Sequence, residues 1–388
     1  MQAQHKILMV DDESDLEQLV RQRMRREIRS GQYAFLFAGD GVEALETLGE
    51  HSDIDLVLSD INMPRMDGLT LLEKIPDVDT DLRSVVISAY GDMKNIRAAM
   101  NRGAFDFVTK PIDFDDLRIT IDRSLRQLEM WREAEASKDK LLTLQSELDV
   151  ANGMQQSILP KHFPKNEKYE LYGSMEPARN VGGDFFDIIR LEHDRLGIAI
   201  ADVSDKGIPA ALFMMSSRTL LKGAALGCDD PGTVVAVVNE QLQDGNEANM
   251  FVTLFYAVYD PATGLVRYAN GGHNPPLIVH RDGSSTLLPL TGGVALGVAP
   301  NFDFASDQVS LEPGEALFMY TDGVSEAENA GNEEYGMDRL QAVFAGSAPD
   351  SARAANNAVF ASVRQFAGGR SQSDDITCLI LLRTESGS

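Results

Sequence analysis

The chain has 388 residues, of which 43% are hydrophobic, 24% charged and 7% aromatic, so it is globular in composition and long enough for two or three domains. With 60 acidic against 35 basic residues, the net charge of -25 repels a nucleic acid backbone, and no basic module stands out to override it. No apolar run approaches the ~18 residues of a membrane helix, the N-terminus has no export signal, and Cys228 and Cys378 stand too far apart for a disulfide framework, so a cytoplasmic protein is expected.

From Lys6 to about Leu125, short β-branched runs alternate with helical stretches. Strands are expected at Lys6–Val10, Ala34–Ala38, Asp55–Ser59, Ser84–Ala89 and Asp106–Thr109. Five strand–helix alternations predict a doubly wound parallel sheet, which binds ligands beyond the carboxyl ends of its strands. Between Leu117 and Ile158 there is no proline and one glycine, Gly153, which predicts a continuous helix. Leu141, Leu144, Leu148, Ala151, Gln155 and Ile158 recur at 3,4 spacing, and Leu117, Ile121, Ser124, Leu128 and Trp131 do so in a second phase. The reading is a dimeric coiled coil with a phase shift near Arg132–Lys140, against a single solvated helix as the alternative. After Leu159-Pro160, strands are expected at Leu171–Met175, Asp184–Arg190, Arg195–Ala201, Met250–Tyr259, Leu265–Ala269, Pro276–His280, Glu315–Tyr320 and Thr377–Leu382. Helices at Ile208–Ala225 and Thr233–Asp244 divide them, which predicts an α+β sandwich.

Two constellations carry chemistry. In the first, Asp11 and Asp12 close strand one, Asp60 closes strand three, Ser88 lies near the end of strand four and Lys110 follows strand five. A doubly wound sheet brings them to one rim, where three carboxylates suit magnesium, Lys110 offers a point charge to a phosphoryl group and Asp60 can act as nucleophile. In the second, Val181-Gly182-Gly183-Asp184, Ala201-Asp202-Val203-Ser204-Asp205, Thr321-Asp322-Gly323 and Ser373-Asp374-Asp375 set carboxylates at turns beside predicted strands. Without histidine or cysteine companions, they select magnesium or manganese over zinc. Two such ions can share and activate a water aimed at phosphorus.

VDDE (Val10–Glu13), SDINMPRMDG (Ser59–Gly68), SAYGD (Ser88–Asp92) and FVTKP (Phe107–Pro111) make residues 5–125 resemble a CheY-like response-regulator receiver domain. The resemblance implies metal binding by Asp11, Asp12 and the Asn62 carbonyl, phosphorylation of Asp60, and a phosphate contact from Lys110. It makes Ser88 a hydroxyl switch and Phe107 an aromatic switch, with a plain core aromatic as the alternative for Phe107. A histidine kinase or phosphotransfer protein is the implied phosphodonor.

QQSILP (Gln155–Pro160), VGGDFFD (Val181–Asp187), ADVSDKG (Ala201–Gly207), ANGGHNPP (Ala269–Pro276), YTDGVSEA (Tyr320–Ala327) and SDDITCLIL (Ser373–Leu381) make residues 150–385 resemble the PPM family of metal-dependent serine/threonine phosphatases, in its SpoIIE-like branch. The resemblance implies two magnesium or manganese ions held by Asp184, Asp202, the Val203 carbonyl, Asp322 and Asp374, with Asp202 bridging. Asp375, where many relatives have asparagine, leaves the choice between the adjacent pair open. Ser204 stands where eukaryotic relatives carry a histidine, so no general acid is assigned. Arg179 matches a phosphate-binding arginine, with a surface salt bridge as the alternative, and His273 orients substrate or serves as a hydrogen-bonded turn residue.

The expected organisation is a receiver over 1–125, a helical linker over 126–160 and a phosphatase over 161–388, dimeric through linker and receiver. The implied substrate is a phosphorylated anti-anti-sigma (STAS) protein. The alternatives are a catalytically silent adaptor that binds a sigma factor or its regulator, and a phosphatase acting on another phosphoprotein.

Overall fold

The computed structural model describes residues 5–79, 81–89, 91–164, 166–346 and 349–384. Tyr90, within the SAYGD string, lies outside the described residues. The chain forms two compact units, Met1–Thr143 and Leu144–Ser388.

In the first unit, β1 (His5–Val10), β2 (Tyr33–Ala38), β3 (Leu56–Asp60), β4 (Arg83–Ala89) and β5 (Asp106–Lys110) form one sheet in the order β2-β1-β3-β4-β5. Every pairing is parallel, as the strand–helix alternation predicts. Strand β3 is buried along its whole length, which explains its continuous apolar run where a half-exposed strand would alternate. Ile7, Met9, Leu58, Val85 and Ile87 pack on one face with Leu16 and Val20, while Leu8, Val10 and Val57 pack on the other with Ala44 and Leu71.

One helix runs from Phe114 to Ile158. Its opening turns correct the expected seam: Leu117, Ile121 and Leu125 pack into the first unit's core, and Ser124 and Leu128 are also buried. That phase of the 3,4 pattern records intramolecular packing. Arg132 adds a 2.7 Å ion pair to Asp55, and the Arg83 guanidinium lies over the Trp131 ring. In the second phase, Leu141 and Leu144 are exposed, whereas Gln155 is buried in the second unit and is unavailable to a seam.

The second unit is a sandwich of two five-stranded sheets. One has the order β13-β10-β9-β8-β7, from β7 (Phe185–Arg190), β8 (Leu196–Val203), β9 (Val252–Tyr259), β10 (Leu265–Gly271) and β13 (Asp307–Ser310). The other has the order β12-β11-β14-β15-β6, from β6 (Tyr169–Glu176), β11 (Leu277–Val279), β12 (Ser285–Leu287), β14 (Ala316–Tyr320) and β15 (Ile376–Arg383). Side-chain alternation places Leu317, Met319, Leu379 and Leu381 in the inter-sheet core with Phe186, Ile198 and Phe255. Phe318, Tyr320, Cys378 and Ile380 point to the opposite face, where Val359 and Phe360 of helix Ala352–Ala367 cover them. Helices Ile208–Gly227 and Pro231–Gln243 bury Ala210, Met214, Leu221, Val234 and Val238 against the other sheet.

Candidate functional site

Register brings the first constellation together. Val10 pairs with Ser59, so the Asp11-Asp12 turn emerges beside Asp60, and Lys110 ends β5 two strands away. One ligand oxygen each from Asp11, Asp12 and Asp60 lies within 4.8 Å of the others. Lys110 Nζ stands 2.7 Å from Asp60 Oδ2, 3.0 Å from Asp11 Oδ2 and 2.8 Å from Glu13 Oε1. Burial works against the ammonium, but the bonds to Asp60, Glu13 and Asp11 prevail and raise its pKa, so Lys110 stays charged. Burial pushes the Asp11 carboxyl up despite the lysine. Asn62 is exposed, and its amide N–H lies 3.3 Å from Asp60 Oδ1. Gly68 donates its N–H to Ile61, and a Cβ there would sit 2.1 Å from the Asp60 carbonyl oxygen, which explains the glycine closing SDINMPRMDG. Ser88 is fully buried, with no hydrogen-bond partner for its hydroxyl among the described residues. Phe107 is 38% exposed, so the core-aromatic alternative does not describe it.

The second constellation gathers at one end of the sandwich. Phe185 pairs with Ala201, setting Asp184 at the start of β7 beside Asp202 near the end of β8. On the facing sheet, Tyr320 pairs with Cys378, so Asp322 follows β14 at the end where Asp374 and Asp375 enter β15. The Thr321 and Thr377 hydroxyls both donate to Asp184 Oδ2, at 2.7 and 2.6 Å. All three side chains are buried, and the pair fixes which Asp184 oxygen is left for a ligand. The Val203 carbonyl oxygen faces Gly183, 3.0 Å from where a Cβ would be.

Burial and the Asp202 charge push Asp184 far up, while burial and the Asp322 charge push Asp202 up to about 7. Asp322 is raised by burial and by Asp374. The cluster is thus rich in carboxylates, with Lys206 as its one neighbouring cation among the described residues. That set fits hard divalent cations, consistent with the metal dependence of PPM phosphatases.

The adjacent aspartates have different environments. Asp375 is buried, with Oδ1 accepting from Ala178 N–H at 2.8 Å and Oδ2 from Gly183 and Asp184 N–H at 2.6 and 3.3 Å. A Cβ on Gly182 would lie 2.3 Å from Asp375 Oδ2, so the VGGD turn closes on this carboxylate only with glycine there. Asp374 is one-third exposed, with Oδ2 2.7 Å from Lys206 Nζ and Oδ1 accepting from Asp375 N–H.

Gln155 completes the turn from the long helix. Its amide donates to the Gly182 carbonyl at 2.5 Å and accepts from Gly182 N–H at 2.9 Å, satisfying both backbone groups two residues before Asp184. Arg179 is exposed with no ion pair among the described residues, so the salt-bridge alternative is not realised. His273 is a buried turn residue: its N–H donates to Asn270 Oδ1 at 2.7 Å and its Nδ1 lies 2.8 Å from Thr253 Oγ1. Burial lowers its pKa to about 4, so the ring is neutral.

Glu13, Thr321, Thr377, Gln155 and Lys206 received no site role from sequence reasoning, although each stands inside a quoted string. A search for carboxylates passes over the amide, hydroxyls and ammonium that hold them, and Glu13 is exposed and meets the site only through Lys110.

Residues 7–122 match the family model for the response regulator receiver domain, and residues 192–384 match that for stage II sporulation protein E (SpoIIE). Chemotaxis protein CheY of Bacillus subtilis is 35% identical over 121 residues, covering 31% of this chain and 98% of CheY. The chain belongs to the response-regulator receiver family. As a response regulator it carries a SpoIIE-type C-terminal unit. Phosphoserine phosphatase RsbU of B. subtilis is 29% identical over 183 residues, covering 47% of this chain, and the chain spans 54% of RsbU's length. The solved SiaA-PP2C domain of Pseudomonas aeruginosa shares the fold of the response regulator's C-terminal unit, with a TM-score of 0.54, 22% identity, and coverage of 63% of this chain and 99% of that structure. No helix among the described residues is long and apolar enough to cross a membrane.

Proposed function

We propose that this response regulator is a metal-dependent phosphoserine/phosphothreonine protein phosphatase controlled by phosphorylation of Asp60. The observation that carries this reading is the convergence of Asp184, Asp202, Asp322 and Asp374 at one end of the sandwich, all oxygen donors, in a unit related to a phosphoserine phosphatase. The organisation we propose is a receiver over 1–125, a helical linker over 126–160 and a phosphatase over 161–388.

Asp184, Asp202, Asp322, Asp374 and the Val203 carbonyl would hold two magnesium or manganese ions. When bound, these supply an activated water and stabilise charge on the transferring phosphoryl group. The protein's own work is positional. Thr321 and Thr377 orient Asp184, Asp375 fastens the Gly183-Asp184 turn, and exposed Arg179 is free to meet the substrate phosphate. His273, neutral and buried, contributes no proton transfer. In the receiver, Asp11, Asp12 and the Asn62 carbonyl would hold magnesium, Asp60 accepts the phosphoryl group from a histidine kinase or phosphotransfer protein, and Lys110 neutralises it. Ser88 and Phe107 then respond to the new oxygens.

The substrate we favour is a phosphorylated STAS-type anti-anti-sigma protein in the cytoplasm. Leu141 and Leu144 are positions of the 3,4 pattern left exposed to a second copy, which supports a homodimer through linker and receiver as the working assembly. The test is manganese-dependent phosphate release from a panel of phosphorylated STAS proteins, with chelator and with Asp202→Asn. Release that needs both manganese and Asp202 supports the reading. Tight binding of a sigma factor or its regulator without any release would favour the silent adaptor.

A further inference from the structure

Lys206 is the one ammonium in contact with the acidic cluster among the described residues. It lies in the turn between β8 and helix Ile208–Gly227, where Asp205 (φ 67°) and Gly207 (φ 83°) both take left-handed backbone conformations. This turn directs Lys206 across to the β15 entry, with Nζ 2.5 Å from the Ser373 carbonyl oxygen and 2.7 Å from Asp374 Oδ2. The other Asp374 oxygen accepts from the Asp375 N–H. Both Asp374 oxygens are therefore engaged, one by backbone and one by a side chain on a flexible four-carbon stem. The backbone contact is fixed by the β15 entry, so the lysine is the partner that can leave.

We propose that Lys206 is a tethered cation occupying the metal-binding oxygen of Asp374, so that a divalent ion completes its shell there only by displacing the ammonium. Lys206 is thus a positioning residue that holds Asp374 in its ligating place before the metal arrives and sets the affinity of that ion. One feature makes exchange accessible, and a second lets the lysine lower the ion's affinity. The Lys206 and Asp374 side chains are 37% and 32% exposed, so the displaced ammonium is rehydrated rather than stranded. The displaced ammonium also stays on its stem near the ion, and like charges at such separations repel strongly where water is partly excluded.

This inference rests on the metal-site reading above, and the experiment separates their failures. Manganese binding to the full-length protein is titrated calorimetrically for wild type, Lys206→Gln, Lys206→Arg and Asp202→Asn, with thermal unfolding of each as a folding control. Lys206→Gln is expected to tighten the Asp374-dependent ion roughly tenfold, through loss of the competing charge. Lys206→Arg, which keeps the charge, is expected to stay within about threefold of wild type. Equal or weaker binding by folded Lys206→Gln, with wild type binding and Asp202→Asn deficient, overturns the tethered-cation proposal and leaves the metal site standing. Absence of manganese binding by wild type, or unchanged binding by Asp202→Asn, overturns both.

Discussion

Asp374→Ala and Asp375→Ala alter neighbouring residues of the same type, yet the structure assigns them opposite consequences. Removing the Asp375 carboxylate unpairs the N–H groups of Ala178, Gly183 and Asp184 in a buried turn. Hydrogen bonds to a charged acceptor contribute about 1.5–3 kcal/mol each, and the 3.3 Å contact to Asp184 falls at the weak end. Relief of the burial that pushes Asp375 up offsets part of this, leaving a net cost of about 3–5 kcal/mol. For a domain of this size that is a melting-temperature loss of roughly 6–20 °C. Asp374 instead makes a one-third-exposed pair with Lys206, worth about 0–1 kcal/mol, so Asp374→Ala should melt within roughly 4 °C of wild type. Manganese titration should rank them differently: Asp374→Ala folds but loses affinity at least tenfold, and Asp375→Asn keeps one acceptor oxygen and falls between wild type and Asp375→Ala in stability. Thermal unfolding and calorimetry on the same preparations decide it. Equal melting losses for the two alanine variants, or native stability of Asp375→Ala, would refute the division of labour.

Three further outcomes are expected. Gly68→Ala, whose methyl would meet the Asp60 carbonyl oxygen at 2.1 Å, should cut labelling by acetyl phosphate severalfold, while Asp60→Ala abolishes it; radiolabel persisting on Asp60→Ala would reject the phosphoacceptor assignment. Gln155→Ala leaves a buried N–H and C=O of Gly182 unpaired, at about 1–3 kcal/mol, and should weaken manganese binding through the Asp184 turn; unchanged affinity would make the contact merely adhesive. His273, held near pKa 4 in the fold against 6.5 unfolded, binds its proton more readily in the unfolded chain. Its neutral burial costs nothing extra above pH 6.5, and stability falls by about 3 kcal/mol as pH drops to 4, so the stability difference between wild type and His273→Gln should shift against wild type across that window and be flat above it.

The sequence was most legible where burial is two-sided or helical phase is long. Receiver strands β1, β3 and β4, and β14 and β15 in the sandwich, appear as near-continuous apolar runs because both faces are covered. Strands β12 and β13 escaped because they are short, polar and at sheet edges, with nothing to alternate against. Helix Ala352–Ala367 carried an overlooked signal: Ser351 caps Ala354 N–H, Gly368 closes the end in the left-handed region, and Ala352, Ala355, Val359 and Phe360 face inward at helical spacing. Its alanines and asparagines make a weak apolar stripe. In the site, the carboxylates were legible as motifs, but the roles of Asp374 and Asp375 were not, since only the folded turn shows which one meets three backbone donors. The first phase of the linker pattern was ambiguous in principle, because a helix packing on its own domain and one packing on a second copy bury the same 3,4 stripe.

That ambiguity bears on control. The helix opens inside the receiver core through Leu117, Ile121 and Leu125, and near its end Gln155 bonds the backbone of the Gly182 turn that precedes Asp184. Between them, Leu141 and Leu144 are exposed and bound to nothing in one copy of the chain. Under the control proposed above, a rearrangement of the receiver's last strand on phosphorylation would act on a continuous helix that carries exposed leucines. Moving a two-state element from 1:99 to 99:1 needs about 5.5 kcal/mol, and burying a leucine contributes about 1.5–3 kcal/mol, so a few leucine-sized contacts per copy supply the scale. The readout is equally local, because Gln155 holds both polar groups of Gly182, and the next two N–H groups belong to the turn that Asp375 fastens. A displacement of the helix end therefore cannot leave the Asp184 turn in place without breaking one of these two clamps. The control we propose would thus have a defined target, the placement of the turn that carries Asp184.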